Sequence, residues 1–359
     1  MKVRHAVGIG LVVALGLYAR QASQTLRPFV DVKSRGGESC RLVQAPGLLG
    51  AEDMEFDPRD GTLWIAAADR RGDPSFRPHD GAFFRLRPTG TAAGKDAVPQ
   101  RAEVLGLTAP LRLHGLGLWL PPQGPGRLFA VQHGDGGDSV EIFAIEDGDT
   151  PRLRHLRSVR TPQFISLNDV APVGPDAFYV SNDHGRPPKL GHVLEDFAFL
   201  SNASVVHFDG QAARTVAHDL RYANGVSVDP SGRFLLVAET TGQRIRVFAR
   251  QPDASLQQVA LTPIDTAPDN FSVDTKGQIW VGAHPSTLQF LRHAKNGNRP
   301  SASQVLHFRL DDRGQPIDLT TRWIDDGRTL SGSSIAAAHG DTWLVGAVFA
   351  DGVLMCATP

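Results

Sequence analysis

Hydrophobic and polar positions along this chain repeat as one unit, and the unit occurs six times. A turn carrying Gly or Asp leads into a run of β-formers. The copies are Gly61-Thr62-Leu63-Trp64-Ile65-Ala66, Gly126-Arg127-Leu128-Phe129-Ala130-Val131, Asp176-Ala177-Phe178-Tyr179-Val180-Ser181, Gly232-Arg233-Phe234-Leu235-Leu236-Val237, Gly277-Gln278-Ile279-Trp280-Val281-Gly282 and Gly340-Asp341-Thr342-Trp343-Leu344-Val345. Each predicts a strand launched from a tight turn. A shorter strand precedes each turn and opens on polar residues: Glu52-Asp53, His114-Gly115, Asn168-Asp169, Asn224-Gly225, Asp269-Asn270 and Ser333-Ser334. Apolar alternation follows, as in Val226-Ser227-Val228. Units spaced by roughly 45 to 65 residues have the repeat size of propeller blades or a little above. The pattern predicts an all-β, six-bladed β-propeller over residues 24–359.

In a propeller the first strands line the central channel in one direction, so the six polar pairs converge on one mouth. The next strand is antiparallel and returns there, ending at Ala68, His133, Asp183, Glu239, His284 and Ala347. Local turn hydrogen bonding accounts for one or two such pairs. It accounts poorly for a ring of carboxylates, amides and histidines.

The first residues break the pattern. Lys2 and Arg4 precede an apolar run, Ala6 to Tyr18, and polar chain resumes at Arg20. This is the layout of a signal or signal-anchor segment over residues 1–23, too short for a confident membrane span. It raises the possibility of membrane association and an exported chain. In that setting a disulfide between the only two cysteines, Cys40 and Cys356, is permitted; two buried thiols are the alternative. With 41% hydrophobic residues and net charge -1, the remainder reads as globular, with no electrostatic reason to expect nucleic acid.

The polar ring is rich in oxygen donors: Glu52, Asp53, Asn168, Asp169, Asn224, Asp269 and Asn270. Calcium takes six to eight oxygens in flexible geometry. Carboxylates packed together without a cation repel one another. No HExxH spacing or thiolate cluster favours zinc. His114 opens a channel strand and His133 ends the next, so a hairpin would bring them together as a general base and its relay. No GxSxG elbow, phosphate loop or dinucleotide fingerprint is present. Asn202-Ala203-Ser204 and Asn270-Phe271-Ser272 match glycosylation sequons, the second at a candidate ligand.

These segments, in order, resemble the paraoxonase/arylesterase family from about Cys40 to Cys356. The matching stretches are Gly50-Ala51-Glu52-Asp53-Met54-Glu55, His114-Gly115, Leu167-Asn168-Asp169-Val170, Ser181-Asn182-Asp183-His184, Ala223-Asn224-Gly225, Pro268-Asp269-Asn270-Phe271-Ser272-Val273-Asp274, Trp280-Val281-Gly282-Ala283-His284-Pro285 and Leu330-Ser331-Gly332-Ser333-Ser334. The resemblance implies two calcium ions in the channel. Glu52, Asn168, Asn224, Asp269 and Asn270 would hold the catalytic one. Asp53, Asp169 and the Leu116 carbonyl would hold the structural one. It further implies a His114–His133 dyad, a pocket bordered by His184, Tyr222 and His284, a Cys40–Cys356 disulfide and an uncleaved N-terminal segment. Two departures stand out. Ala283 occupies a place where the family often has a free cysteine, and Gly185-Arg186-Pro187-Pro188, at the pocket lid, is poor in aromatics.

The implied activity is calcium-dependent hydrolysis of small lactones and aryl esters. A gluconolactonase-type propeller with a single metal is an alternative. A non-catalytic propeller that binds a partner, with calcium purely structural, is another.

Overall fold

The computed structural model describes residues 2–71, 78–88, 97–146, 148–186 and 190–357, with the side chains of 2–12 and 190 set aside. Six antiparallel-strand sheets form the blades of a propeller. The inner strands are Ala51–Asp57, Leu113–Trp119, Leu167–Pro172, Ala223–Val228, Ala267–Val273 and Ser333–His339. Each pairs with the strand that follows its turn. The second blade adds a short outer strand, Glu103–Leu105, running parallel to Arg152–Val159.

Side chains alternate across a strand, so a blade buried on both faces feeds two different interfaces. Leu63 and Ile65 enter the cluster between the first and last blades, with Ile335 and Leu344. Their neighbours Trp64 and Ala66 enter the cluster with Leu113 and Leu128 of the second blade. The six hydrophobic clusters correspond to the six blade interfaces, so the core is a ring around the channel. Glycines allow the inner strands to approach closely. A Cβ on Gly115 would overlap Asp169 and one on Gly225 would overlap Asp269 and Asn270.

The chain closes the ring by supplying Cys40–Val43 as the outermost strand of the last blade, antiparallel to Val353–Ala357. Cys40 and Cys356 are directly opposed and form a disulfide. Such a bond persists in oxidising compartments.

The N-terminal segment is helical. Helix α1 (Lys2–Leu26) continues past residue 23, and its last turn packs on the propeller: Thr25 is buried and Gln243 Nε2 donates to Gln24 O at 2.8 Å. Two more helices, α2 (Leu190–Ala198) and α3 (Thr287–Lys295), are inserted after second strands. Tyr18 of α1 stacks on Phe197 of α2, with ring centroids 6.2 Å apart. Among the described residues no helix is long and apolar enough to cross a membrane.

Candidate active site

Each inner strand breaks register with its partner at the polar pair. The irregularities fall between Ala51 and Asp53, Leu113 and Leu116, Leu167 and Val170, Ala223 and Val226, Pro268 and Phe271, and Ser333 and Ile335. A bulge frees backbone groups from the ladder and re-aims side chains. Here it turns consecutive polar residues of several blades toward one place.

Glu52, Asn168, Asn224, Asp269 and Asn270 are all buried. Asn270 Nδ2 donates to Glu52 Oε1 at 2.7 Å, and Asp269 Oδ2 lies 2.9 Å from His284 Nε2. Each of the five residues keeps one side-chain oxygen with no donor: Glu52 Oε2, Asn168 Oδ1, Asn224 Oδ1, Asp269 Oδ1 and Asn270 Oδ1. Among the described residues the other buried carboxylate or amide oxygen in that condition is Glu195 Oε1, which faces Arg186 at 3.6 Å. Buried acceptors almost always find a donor, so a convergent set of exceptions calls for a cation. Two carboxylates and three amide oxygens suit calcium. No group of three His, Cys, Asp or Glu side chains assembles among the described residues; the amides take that share of the set. Burial pushes the Glu52 carboxyl up to about 7, opposed by Arg70 and the Asn270 hydrogen bond and reinforced by Asp269.

Asp53 and Asp169 form a second acidic pair. Asp53 accepts from Leu116 N at 2.6 Å, and Asp169 accepts from Val226 N and Val170 N, both at 2.7 Å. Burial raises both carboxyls well above the usual range, and Asp169 further raises Asp53. A second cation beside them would relieve that cost.

His114 Nδ1 lies 2.9 Å from His133 Nε2, and His133 Nδ1 lies 2.9 Å from Asp138 Oδ1. Asp138 Oδ2 is itself fixed by Leu167 N at 2.8 Å. A carboxylate only accepts, so His133 carries its proton on Nδ1 and its Nε2 accepts from His114 Nδ1. This leaves His114 Nε2 with a free lone pair, 3.6 Å from Glu52 Oε1. Burial, the charge of Arg70 and the neighbouring His133 all push His114 well below its ordinary value, so it is neutral near pH 7.

His184 bridges Asp183 (2.7 Å) and Asp196 of α2 (3.1 Å), stacks on His192 and meets Tyr222 edge-on at 5.1 Å. Burial opposes its charge, but the two carboxylates raise it to about 10. Asp183 also accepts from Ser166 and from Asn168 Nδ2, tying α2 to the site wall. Tyr222 has φ +53, a conformation costly for a bulky residue, two residues before Asn224. His284 packs on Phe290 of α3 with ring centroids 4.1 Å apart.

Not every polar strand end joins the site. Glu239 is fully buried, but Arg244 and Arg246 hold it at 2.6 Å each, making it structural. Asp138 and Arg70 are additions the sequence pattern missed. Pro187 and Pro188 of the expected lid stretch lie outside the described residues.

A family model described as Arylesterase matches residues 107–357. The chain belongs to the arylesterase family. Serum paraoxonase/arylesterase 2 of Gallus gallus is 31% identical over 353 residues, 97% of either chain. Serum paraoxonase/arylesterase 1 of Rattus norvegicus is 28% identical, covering 95% of each. This arylesterase-family chain also superposes on a solved gluconolactonase from Xanthomonas campestris. The TM-score is 0.51 at 20% identity, covering 89% of this chain and 88% of that one, a likeness of fold.

Proposed function

We propose that this ester hydrolase opens lactones and cleaves aryl esters, with two calcium ions resident in its channel and His114 as general base. One observation carries the reading: five donor-free buried oxygens converge beside the His114–His133–Asp138 chain. Glu52, Asn168, Asn224, Asp269 and Asn270 would hold one ion; Asp53, Asp169 and the Leu116 carbonyl would hold the other. Calcium, when bound, supplies a Lewis acid for the ester carbonyl oxygen. His114 Nε2 takes a proton from the attacking water. His114 Nδ1 then shares its proton with His133 Nε2, and Asp138 stabilises the charge that develops on His133. The second acidic pair favours two ions over the single-metal sugar-lactonase reading.

The test is hydrolysis of phenyl acetate and a δ-lactone by the wild type, His114→Gln and His133→Gln, each with calcium and with EDTA. General base catalysis contributes roughly 10²–10⁴-fold, so a loss of that size is expected in His114→Gln with calcium content retained. Unchanged turnover in both variants would rule out the dyad. No turnover by the calcium-loaded wild type would favour a binding module.

Val193, Leu194 and Phe197 of α2 and Leu17 of α1 expose apolar surface on one side of the propeller. This supports contact with a lipid surface through the N-terminal region, which co-flotation with vesicles would detect.

A further inference from the structure

Arg70 follows the second strand of the first blade, and only 4% of its surface is exposed. Its Nη1 donates to Ala68 O at 3.1 Å and its Nη2 to Leu113 O at 2.9 Å. Leu113 immediately precedes His114. Ala68 N bonds to Gly50 O, two residues before Glu52. The guanidinium is therefore pinned where the first two blades meet, beside the His114–Glu52 contact. A guanidinium has five N–H donors, and backbone carbonyls take two of them. Among the described residues no carboxylate lies within ion-pair distance of it. Asp69, its neighbour, is engaged elsewhere: it accepts from Arg71 N at 2.8 Å and faces His79 at 3.7 Å.

A buried arginine is ordinarily paired. The carboxylates whose charge reaches Arg70 from across the site are Glu52 and Asp269. Both belong to the proposed calcium set. Were calcium to engage Glu52 and Asp269, the remaining N–H donors of Arg70 would have no carboxylate at ion-pair distance among the described residues. Guanidinium forks match carboxylates bidentately.

We propose that Arg70 is a specificity residue that selects esters and lactones bearing a second, carboxylate group away from the bond that is cleaved. This rests on the hydrolase reading above. The test compares kcat/KM for phenyl acetate and for monophenyl glutarate in the calcium-loaded wild type, Arg70→Gln and Arg70→Lys. The preference for the acidic ester is expected to fall roughly ten- to a hundredfold in Arg70→Gln, mostly through KM, and to recover partly in Arg70→Lys. Equal losses on both esters would make Arg70 structural and overturn the proposal. If Arg70→Gln fails to fold, the wild type decides alone. Glutarate that raises its melting temperature and competes with phenyl acetate about tenfold better than neutral glutaramide supports the assignment; equal behaviour overturns it. Failure to hydrolyse phenyl acetate counts against the hydrolase reading. Hydrolysis without acidic preference counts against Arg70 alone.

Discussion

Stripping calcium is expected to lower the melting temperature of this protein by about 7 °C, a figure worked from unsatisfied oxygens. Five buried side-chain oxygens in the channel lack donors. Each unsatisfied acceptor costs roughly 1–3 kcal/mol, and the low end of that range gives about 5 kcal/mol for the five. Unfolding entropy of about 2.1 cal/mol/K per residue over a propeller of this size gives about 0.7 kcal/mol/K, and the quotient is about 7 °C. At about 1 mM free calcium the same energy corresponds to a Kd near 0.2 μM. Calorimetry with calcium and with EDTA reads the first quantity, and titration of the stripped protein reads the second. A shift under about 2 °C, with no calcium retained through gel filtration, would refute the cation reading of these oxygens.

Other expectations follow from the same contacts. Asp138→Asn removes the carboxylate that fixes the His133 tautomer; kcat should fall roughly tenfold or more with little change in KM, and an unchanged pH profile would deny Asp138 a positioning role. The Cys40–Cys356 bond closes a loop with sequence separation 316. On the chain-entropy model that contributes about 5 to 6 kcal/mol, so Cys40→Ala, Cys356→Ala and the double variant should each melt about 8 °C lower; additive losses in the double variant would show that the bond is not the cause. His184 is raised from 6.5 to about 10, so its stabilisation is complete below its unfolded value and is lost as pH climbs toward 10. Melting temperatures of wild type and His184→Gln should therefore converge on the alkaline side; parallel curves would contradict the ion-pair bridge.

The blades were legible because turn glycines and period-two runs are local features. Leu63, Trp64 and Ile65 announce a doubly buried strand with no knowledge of their partners. The polar pairs were legible because six copies aligned. What stayed hidden depends on contacts between blades. The register break at every pair follows from packing against a neighbouring inner strand, which no single segment encodes. Arg70 in Asp69-Arg70-Arg71 and Asp138 after Gly136-Gly137 have the composition of exposed turns. The burial of Arg70 and the half-burial of Asp138 arise only when the second blade folds against the first and third. Glu239 erred the other way: its strand-end position suggested the ring, but Arg244 and Arg246 on the next strand claim it.

Ring closure and the site are one mechanical problem. The carbonyl of Glu52, in the first blade, accepts from Ser334 Oγ of the sixth blade at 2.6 Å and from Asn270 Nδ2 of the fifth at 3.3 Å. Ser272 of the fifth blade reaches Ala336 O of the sixth at 2.7 Å. Thus Glu52 sits at the seam where the first and last blades meet, and the strand Cys40–Val43 with its disulfide sews that seam from outside. A loosened seam would move Glu52 relative to Asp269 and Asn270, and the cation proposed to span the three would resist that movement. Calcium at the proposed site would therefore stabilise from the inner rim the closure that the disulfide holds from the outer one. Removing both should then cost other than the sum of the two separate losses, as for groups that act on one contact.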